Sequence, residues 1–201
     1  MLAKVRILSP AYYKMHSKKR CSWAKGKEMI KYHDKEWGVP LKKDRKLFEM
    51  LILEGAQAGL SWSTILKRRK TYKKAFDNFD VKKISKYNNK DIKRLLKDEG
   101  IIRNKLKIQA IIINAKKFIE IQKEFGSFNK YIWGFVNHKP IKNKFKSMHE
   151  VPANTQESSA MSKDLKERGF KFVGTTICYA FMQATGMVND HITNCFRYGK
   201  L

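Results

Sequence analysis

The chain has 201 residues and 42% of them are hydrophobic, which is enough for a buried core and excludes an intrinsically disordered protein. Its longest apolar runs, such as residues 108–113, fall well short of the roughly 20 apolar residues that cross a bilayer, which excludes a membrane-spanning protein. Lys and Arg number 44 against 18 Asp and Glu, and the resulting net charge of +26 exceeds what solubility requires and points to a polyanionic partner.

Residues 1–19 are predicted to form a basic N-terminal arm, because they contain lysines and arginines, no acidic residue and little periodicity. An upstream translation start is the alternative. The arm has no apolar segment followed by a small-residue cleavage site, so we expect no secretion. Three cysteines suit a reducing cytosol without disulfides, and the expected location is therefore cytoplasmic.

From residue 20 onward, apolar residues recur at helical spacing. Asp44 is predicted to cap a helix that ends near Gly59, and Ser61 is predicted to begin the next one. Asn89 is predicted to cap a short helix closed by Gly100. Alternating β-type patterns are scarce, so the predicted fold class is all-α.

The longest predicted helix runs from about Asn104 to its stop at Gly126. Residues 139–155 contain two prolines and little periodicity, so they are predicted to form a loop between two helical lobes. A further capped helix is predicted at about residues 158–168. Together these elements predict a single helical domain over residues 20–201.

A glycine-containing turn at residues 169–174 separates two predicted helices, the second running from Thr175 to about Thr185, before Gly186. This is the outline of a helix-hairpin-helix motif, at about residues 169–186, in which amides at a helix N-terminus face a DNA phosphate. Such contacts carry no base specificity. An ordinary turn between two helices is the alternative, and the strongly basic composition makes us favour DNA.

The charge favours nucleic acid as the partner, with binding that weakens as salt rises because counterions are released. A ribosomal or membrane surface could use the same charge. An AT-rich coding sequence would also raise the lysine count without any partner, and composition leaves both alternatives open.

Two fragments at opposite ends of the chain contain residue types that together could ligate one metal ion. Cys21 and His33 lie near the N-terminus, and His191 and Cys195 lie near the C-terminus at the four-residue spacing of one helix face. Two sulfur and two nitrogen ligands complete a tetrahedral zinc site and leave no position for water, which is typical of a structural site. The alternative is a set of unrelated buried thiols and surface imidazoles.

Sequence blocks spread along the chain match one known family in the same order. They include Tyr32-His-Asp34, Glu36-Trp-Gly-Val-Pro40, Gln57-Ala-Gly-Leu-Ser-Trp62, Gly169-Phe-Lys-Phe-Val-Gly174 and Val188-Asn-Asp-His191. From about residue 20 to residue 195 the chain resembles the DNA-3-methyladenine glycosylase I family. The resemblance implies a helix-hairpin-helix DNA glycosylase fold whose structural zinc joins the N- and C-terminal segments through Cys21, His33, His191 and Cys195.

The resemblance implies a DNA repair enzyme that flips 3-methyladenine out of alkylated duplex DNA and excises it by hydrolysis, leaving an abasic site. Methylation at N3 gives the purine a positive charge, so the base leaves as a neutral molecule. Its pocket needs aromatic faces and a carboxylate that accepts from the exocyclic amine. The implied residues are Glu54 and Tyr32 at the base edge, Trp62 for stacking, and Trp23 and Trp37 as pocket walls.

These residues also have plainer interpretations. A tryptophan is more often part of a hydrophobic core, and Glu54 could be an exposed carboxylate on a helix surface. The apolar run of residues 50–53 directly before Glu54 favours burial instead. A buried carboxylate without a partner is costly.

The resemblance also implies two segments at the DNA. One is the loop after the first long helix, where Leu60 could fill the space left by the flipped base, although a buried leucine is the alternative. The expected DNA contacts are Gln57, Gly59 and Leu60 in this loop, and Lys171, Gly174, Thr175 and Thr176 in the hairpin.

Two positions depart from the wider helix-hairpin-helix superfamily. Asn189 stands where many members carry a catalytic Asp, and an amide can neither act as a base nor offset a sugar cation with full charge. Thr176 stands where bifunctional members carry the lysine that forms a Schiff base. We therefore predict monofunctional base release without strand cleavage, and poor activity on uncharged lesions such as hypoxanthine. Asp190 is expected to support His191 from outside the metal site.

A zinc-containing DNA-damage-binding module without catalysis is the rival hypothesis, and a ribosome-associated basic protein is a third. Neither class needs Glu54, Tyr32 and Trp62 together. We expect a monomer, because no heptad pattern or apolar edge indicates a dimer. The expected partner is double-stranded DNA that contains 3-methyladenine, and DNA would hold the protein at the nucleoid in the cytoplasm.

Overall fold

The structure, a computed structural model, describes residues 18–201, so the predicted basic arm lies almost wholly outside the described residues. The described chain is almost entirely helical, which confirms the predicted all-α class. Its helices are α1 (Lys27–Lys35), α2 (Asp44–Gln57), α3 (Trp62–Ala75), α4 (Val81–Ile84), α5 (Asn89–Lys97), α6 (Lys105–Phe125), α7 (Phe128–Gly134), α8 (Gln156–Glu167) and α9 (Thr175–Ala184). Three short 3-10 helices (Asp77–Phe79, Met148–Glu150 and Tyr198–Lys200) and two short strands, β1 (Ile141–Lys142) and β2 (Val188–Asn189), complete the described chain. Within residues 18–201 no helix combines the length and apolarity that a bilayer span requires.

Local capping sets several helix ends where the sequence predicts them. The side chain of Ser61 caps α3 and that of Asn104 caps α6, each by accepting a hydrogen bond from a backbone N–H in the first turn. Gly126 ends α6 with a φ of 79°, a left-handed conformation that glycine adopts without a steric penalty.

Two predicted caps are wrong. The cap of α5 is Asn88 and not Asn89, because Asn88 and Asp91 form a reciprocal capping box. Asp44 is the first residue inside α2, and its carboxylate reaches across to α7, where it accepts from the first two backbone N–H groups at 2.9 and 2.8 Å. A carboxylate is favoured there by the helix dipole, so Asp44 caps a neighbouring helix and not its own.

Helix α2 lies at the centre of the fold. Its residues 47–56 are all buried, and it packs against α3, α6, α7 and α9. A helix buried on all sides is normally apolar, yet α2 carries Glu49 and Glu54, each only 4% exposed. Glu49 is paired with Arg69 and Lys46, both at 2.7 Å. Glu54 accepts no hydrogen bond from any residue that the structure describes.

The predicted loop at residues 139–155 does more than link two lobes. Within it β1 pairs in parallel with β2, with Ile141 opposite Val188. A strand of two residues is too short to leave an alternating pattern in the sequence, which is why it is not predicted. The pairing holds the chain directly before His191 against the rest of the fold.

The two buried glutamates of α2 predict opposite pH dependences of stability. Burial raises the pKa of Glu54 to about 8, so between about pH 5 and pH 8 the folded protein retains a proton that the unfolded chain releases, and its stability falls as pH rises. Burial acts in the same direction on Glu49, but Arg69 and Lys46 outweigh it and hold its pKa below the usual value. Its stabilising effect is therefore present at neutral pH and is lost on acidification through the folded pKa.

We expect Glu54→Gln to unfold at higher urea concentration than wild type at pH 8, by at least about 1 kcal/mol, and to differ little at pH 5. The matched variant Glu49→Gln should be less stable than wild type at pH 8, because it loses two charged partners. Urea unfolding at both pH values measures the two effects, and the same pH response in both variants would contradict the assignment.

Candidate functional site

Four residues from the two ends of the described chain form one buried cluster. They are Cys21, His33, His191 and Cys195, and one ligand atom of each lies within 4.8 Å of the others. Cys195 Sγ lies 3.4 Å from His33 Nε2 and 3.5 Å from His191 Nδ1. Ligand atoms held at about 2.0–2.3 Å around a tetrahedral ion are about 3.5 Å apart, so the cluster could hold a metal ion. The chain from residue 191 to 195 forms turns, so the predicted helix face is wrong.

Hydrogen bonds outside the cluster determine which nitrogen of each histidine faces it. His33 Nδ1 lies 2.9 Å from Asp34 Oδ1, so Nε2 faces the cluster. Arg20 holds Asp34 through two hydrogen bonds of 2.9 and 2.8 Å. His191 Nε2 lies 3.1 Å from the carbonyl oxygen of Trp37, so Nδ1 faces the cluster. Partners of this kind orient the histidines of metal sites.

Asp190 does not support His191, contrary to the expectation from the sequence. Its carboxylate faces α9 and accepts hydrogen bonds from Tyr179 and Gln183. The amide of Asn189 is also occupied, because its Oδ1 accepts from the backbone N–H of His191 at 3.2 Å and its Nδ2 donates to a carbonyl. Hydrogen bonds to neighbouring segments therefore hold both side chains away from the His191 ring.

A cavity of about 240 Å³ brings together the residues predicted for the base pocket. Glu54, Tyr32, Trp62, Trp23 and Trp37 all line it. The remaining lining residues are Met29, Gln57, Met148, Ala180 and Gln183. A larger groove of about 520 Å³ shares Tyr32 but is otherwise lined mainly by charged side chains, so it does not suit a stacked aromatic ligand.

Aromatic contacts connect the cavity wall with the metal-ligand cluster. The ring centroids of Tyr32 and Trp62 are 5.3 Å apart, and those of Trp23 and Trp37 are 4.9 Å apart. Trp37 also meets the ring of His191 edge-on at 4.6 Å. These tryptophans therefore pack against the fold and line the cavity at the same time, so the core interpretation and the pocket interpretation both apply.

Two polar groups of the cavity lack partners within the described part of the chain. Glu54 accepts no hydrogen bond there, and the buried Nε1–H of Trp62 donates none. Buried polar groups are almost always paired, so an unpaired acceptor and an unpaired donor in one cavity are typical of a ligand site. Burial and the nearby Glu54 raise the pKa of Tyr32, which keeps its hydroxyl protonated at neutral pH. The cavity suits a flat, cationic ligand with an N–H group for Glu54.

The loop after α2 is exposed at its tip and anchored at its base. Leu60 is 40% exposed, which contradicts the alternative of a buried leucine, and Gly59 has a φ of 75°. The ammonium of Lys107 donates to the carbonyl oxygens of Ala56 and Ala58 at 2.8 and 2.7 Å. Because these carbonyls end α2, the positive charge also complements the helix dipole.

Helix α6, which carries Lys107, also anchors the hairpin between α8 and α9. Asn114 Oδ1 accepts from the backbone N–H of Lys171 at 2.8 Å, and its Nδ2 donates to the Lys171 carbonyl at 2.9 Å. The side chains of Lys171 and Thr176 are exposed, and Gly174 and Thr175 are half-buried at the start of α9. The N-cap of α9 is Gly174, and within residues 18–201 no side chain caps the first turn of this helix.

Several site residues have little or no signal in the sequence. Lys107 and Asn114 are polar positions on the otherwise apolar, buried face of α6, and that interruption of the apolar stripe is the signal that could have identified them. Met148 and Gln183 come from elements far apart in the chain, so no local pattern marks them as neighbours in one cavity.

Comparison with known proteins agrees with this geometry. The methyladenine glycosylase family model matches residues 23–198. The DNA-3-methyladenine glycosylase 1 of Escherichia coli K12 is 50% identical over 180 residues, which cover 89% of this chain and 96% of that protein. The DNA-3-methyladenine glycosylase of Haemophilus influenzae is 49% identical over 177 residues, which cover 88% of this chain and 96% of that protein.

Solved structures agree over the same span. A crystal structure of 3-methyladenine DNA glycosylase I matches with a TM-score of 0.87 at 51% identity, covering 89% of this chain and 98% of the other. The 3-methyladenine DNA glycosylase I of Staphylococcus aureus, solved to explain its recognition of 3-methyladenine, matches with a TM-score of 0.86 at 35% identity, covering 88% and 95%. On sequence and fold together, this chain belongs to the methyladenine glycosylase family.

Proposed function

We propose that this chain is a DNA repair glycosylase that excises 3-methyladenine from alkylated double-stranded DNA. The observation that carries the proposal is the unpaired Glu54 carboxyl in a small cavity with aromatic walls. The activity named for the bacterial relatives supports the same substrate. The products are the free base and a DNA strand with an abasic site.

Glu54 is proposed to recognise the base by charge and by hydrogen bonding. Methylation at N3 makes the purine a cation, which the faces of Trp62 and Tyr32 attract through cation–π contact. A cation beside Glu54 favours the ionised carboxylate, so binding lowers its pKa from about 8. The glycosidic electron pair neutralises the ring as the bond breaks, and water adds to the sugar carbon and loses one proton to bulk solvent. The protein therefore need not protonate the leaving base.

Base extrusion is proposed to depend on the exposed loop after α2. Leu60 has the exposure that an apolar wedge requires, and Gln57 of the same segment lines the cavity. Gly59 lets the loop approach the duplex closely. The hairpin is proposed to hold phosphates through the uncapped amides at the start of α9, assisted by Lys171, Gly174, Thr175 and Thr176.

The release is proposed to be monofunctional. A lyase needs an amine to form a Schiff base with the sugar, and none of the described residues that line the cavity is a lysine. Thr176 offers only a hydroxyl. The amide of Asn189 is occupied by backbone groups, so it supplies no base. Lesions that carry no charge are therefore expected to be poor substrates.

We further infer that the cluster of Cys21, His33, His191 and Cys195 holds a structural zinc ion. Two thiolates and two imidazoles fill a tetrahedral zinc site, and their spacing in the fold supports this donor set. The bound ion would cross-link the segment before α1 to the turns after β2. Base release needs no water or substrate at this ion.

The proposal is tested by chromatography of the bases released from methylated duplex DNA, with the strand sized on a gel after neutral handling. Free 3-methyladenine with an intact strand is the expected result. A folded protein that binds methylated DNA but releases no base would be the non-catalytic damage-binding module. Release with strand cutting would contradict the monofunctional assignment.

We expect Glu54→Gln to lower the rate of 3-methyladenine release by at least about 100-fold, because the amide cannot offset the charge of the base. Affinity for undamaged duplex should stay at the wild-type value, since Glu54 lies inside the cavity. Glu99→Gln is the control, because it makes the same change at an exposed glutamate. It should change neither the rate of base release nor the affinity for undamaged DNA. Loss of undamaged-DNA affinity in Glu54→Gln would place Glu54 at the DNA surface instead.

We expect Lys107→Met to impair release from duplex DNA by about tenfold or more and to impair release from methylated single strands much less. The substitution removes the anchor of the loop that carries Leu60, and a wedge is needed only where a duplex must be opened. Lys116 is an exposed lysine of the same helix, so Lys116→Met is the control for the lost positive charge. Equal losses on both DNA forms would show that Lys107 stabilises the fold only.

We expect one zinc ion per folded chain by plasma mass spectrometry. Cys195→Ala should lose the ion and unfold several kcal/mol more easily, because metal binding couples to folding. Cys178 is a buried cysteine outside the cluster, and Cys178→Ala should keep its zinc. Zinc retained in Cys195→Ala would contradict the ligand assignment.

A further inference from the structure

Gln183 lines the base cavity and has no part in the recognition proposed so far. It lies three residues after Ala180, another lining residue, on the same face of α9. Its Nε2 donates to Asp190 Oδ2 at 2.8 Å. Its Oε1 has no hydrogen-bond partner among residues 18–201.

Asp190 determines the orientation of this amide. Asp190 is 1% exposed, and its carboxylate also accepts from the hydroxyl of Tyr179 at 2.6 Å and from Asn143 Nδ2 at 2.7 Å. A carboxylate offers only acceptors, so rotating the Gln183 amide by half a turn would place two oxygens against each other. Such a rotation would also remove one hydrogen bond from the buried Asp190 carboxylate, which would keep only those from Tyr179 and Asn143. The carbonyl oxygen of Gln183 is therefore held as an acceptor at the cavity wall.

We propose that Gln183 is a specificity-determining residue whose Oε1 accepts a hydrogen bond from the exocyclic amine of the bound base, with Asp190 as its positioning residue. This inference rests on the proposed function, because it concerns the methylated purine in the cavity. The amine of 3-methyladenine has two N–H groups, one for the Glu54 carboxylate and one for Gln183. Guanine carries a carbonyl oxygen where adenine carries the exocyclic amine, and that oxygen would face the two acceptors, the Glu54 carboxylate and Gln183 Oε1.

The dimensions of the cavity support a shared contact. A volume of about 240 Å³ has room for one purine base, and its wall includes Glu54 from α2 and Gln183 from α9, two helices that pack against each other. A site whose acceptors are aimed at an N–H group rejects an analogue that lacks it, because the acceptors then stay buried without a partner.

The test is Gln183→Met, which keeps the length of the side chain and removes the acceptor. We expect kcat/KM for 3-methyladenine release to fall about tenfold or more, while release of 3-methylguanine from the same alkylated DNA stays equal or rises. Gln109→Met, at a half-buried position of α6 outside the cavity, is the matched control and should leave both rates unchanged. Equal losses for both bases in Gln183→Met would overturn the proposal and leave Gln183 a packing residue.

A second measurement needs no variant and so does not depend on the folding of Gln183→Met. In wild-type protein with labelled glutamine, saturation with free 3-methyladenine should shift the side-chain carbonyl resonance of Gln183 and leave that of Gln109 in place. An unshifted Gln183 resonance at saturation would overturn the proposal.

The same experiments separate this inference from the proposed function. A wild-type protein that releases no 3-methyladenine overturns both. A wild-type protein that releases it, together with a Gln183→Met variant of unchanged base preference, overturns only the role of Gln183.

Discussion

The contact between α1 and the turns that follow β2 joins the metal-ligand cluster to the cavity. His33 of α1 meets His191 and Cys195 inside the buried cluster, and the carbonyl of Trp37 holds the outer nitrogen of His191. Tyr32, the residue directly before His33, and Trp37 are also walls of the cavity. Because the same backbone carries both sets of side chains, the cluster and the cavity cannot change shape independently. A metal ion at the cluster would therefore preorganise the cavity without contacting a ligand in it.

The chemistry of the cavity follows from a helix that is buried on every side. On α2, Glu49 is compensated by two cations, whereas Glu54, five residues later, faces the cavity without a partner. Burying an uncompensated carboxyl costs stability, and a cationic aromatic ligand would relieve that cost. Glu54 is therefore a locally unfavourable position that a cationic ligand would stabilise, and such positions are common where functional sites differ from packed cores.

Helix α6 sets the distance between the two segments that are proposed to contact DNA. Lys107 anchors the loop after α2, and Asn114 anchors the hairpin before α9. The two residues are seven apart, so they lie on one face of the helix and about 10 Å from each other along its axis. A rigid helix between the anchors keeps the proposed phosphate contacts in register with the residue proposed to open the duplex.

Most helices were predictable from local sequence, because caps such as Ser61 and the left-handed Gly126 act within one turn of chain. Residue types, together with the family resemblance, also identified the residues that form the cluster and line the cavity. The partner of each buried polar group, in contrast, follows from how the helices pack and was not predictable from the sequence. Asp44 caps a different helix from its own, and Asp190 holds an amide of the cavity wall in place of His191. Such contacts join separate elements, and only the packing of the helices brings their atoms within hydrogen-bonding distance.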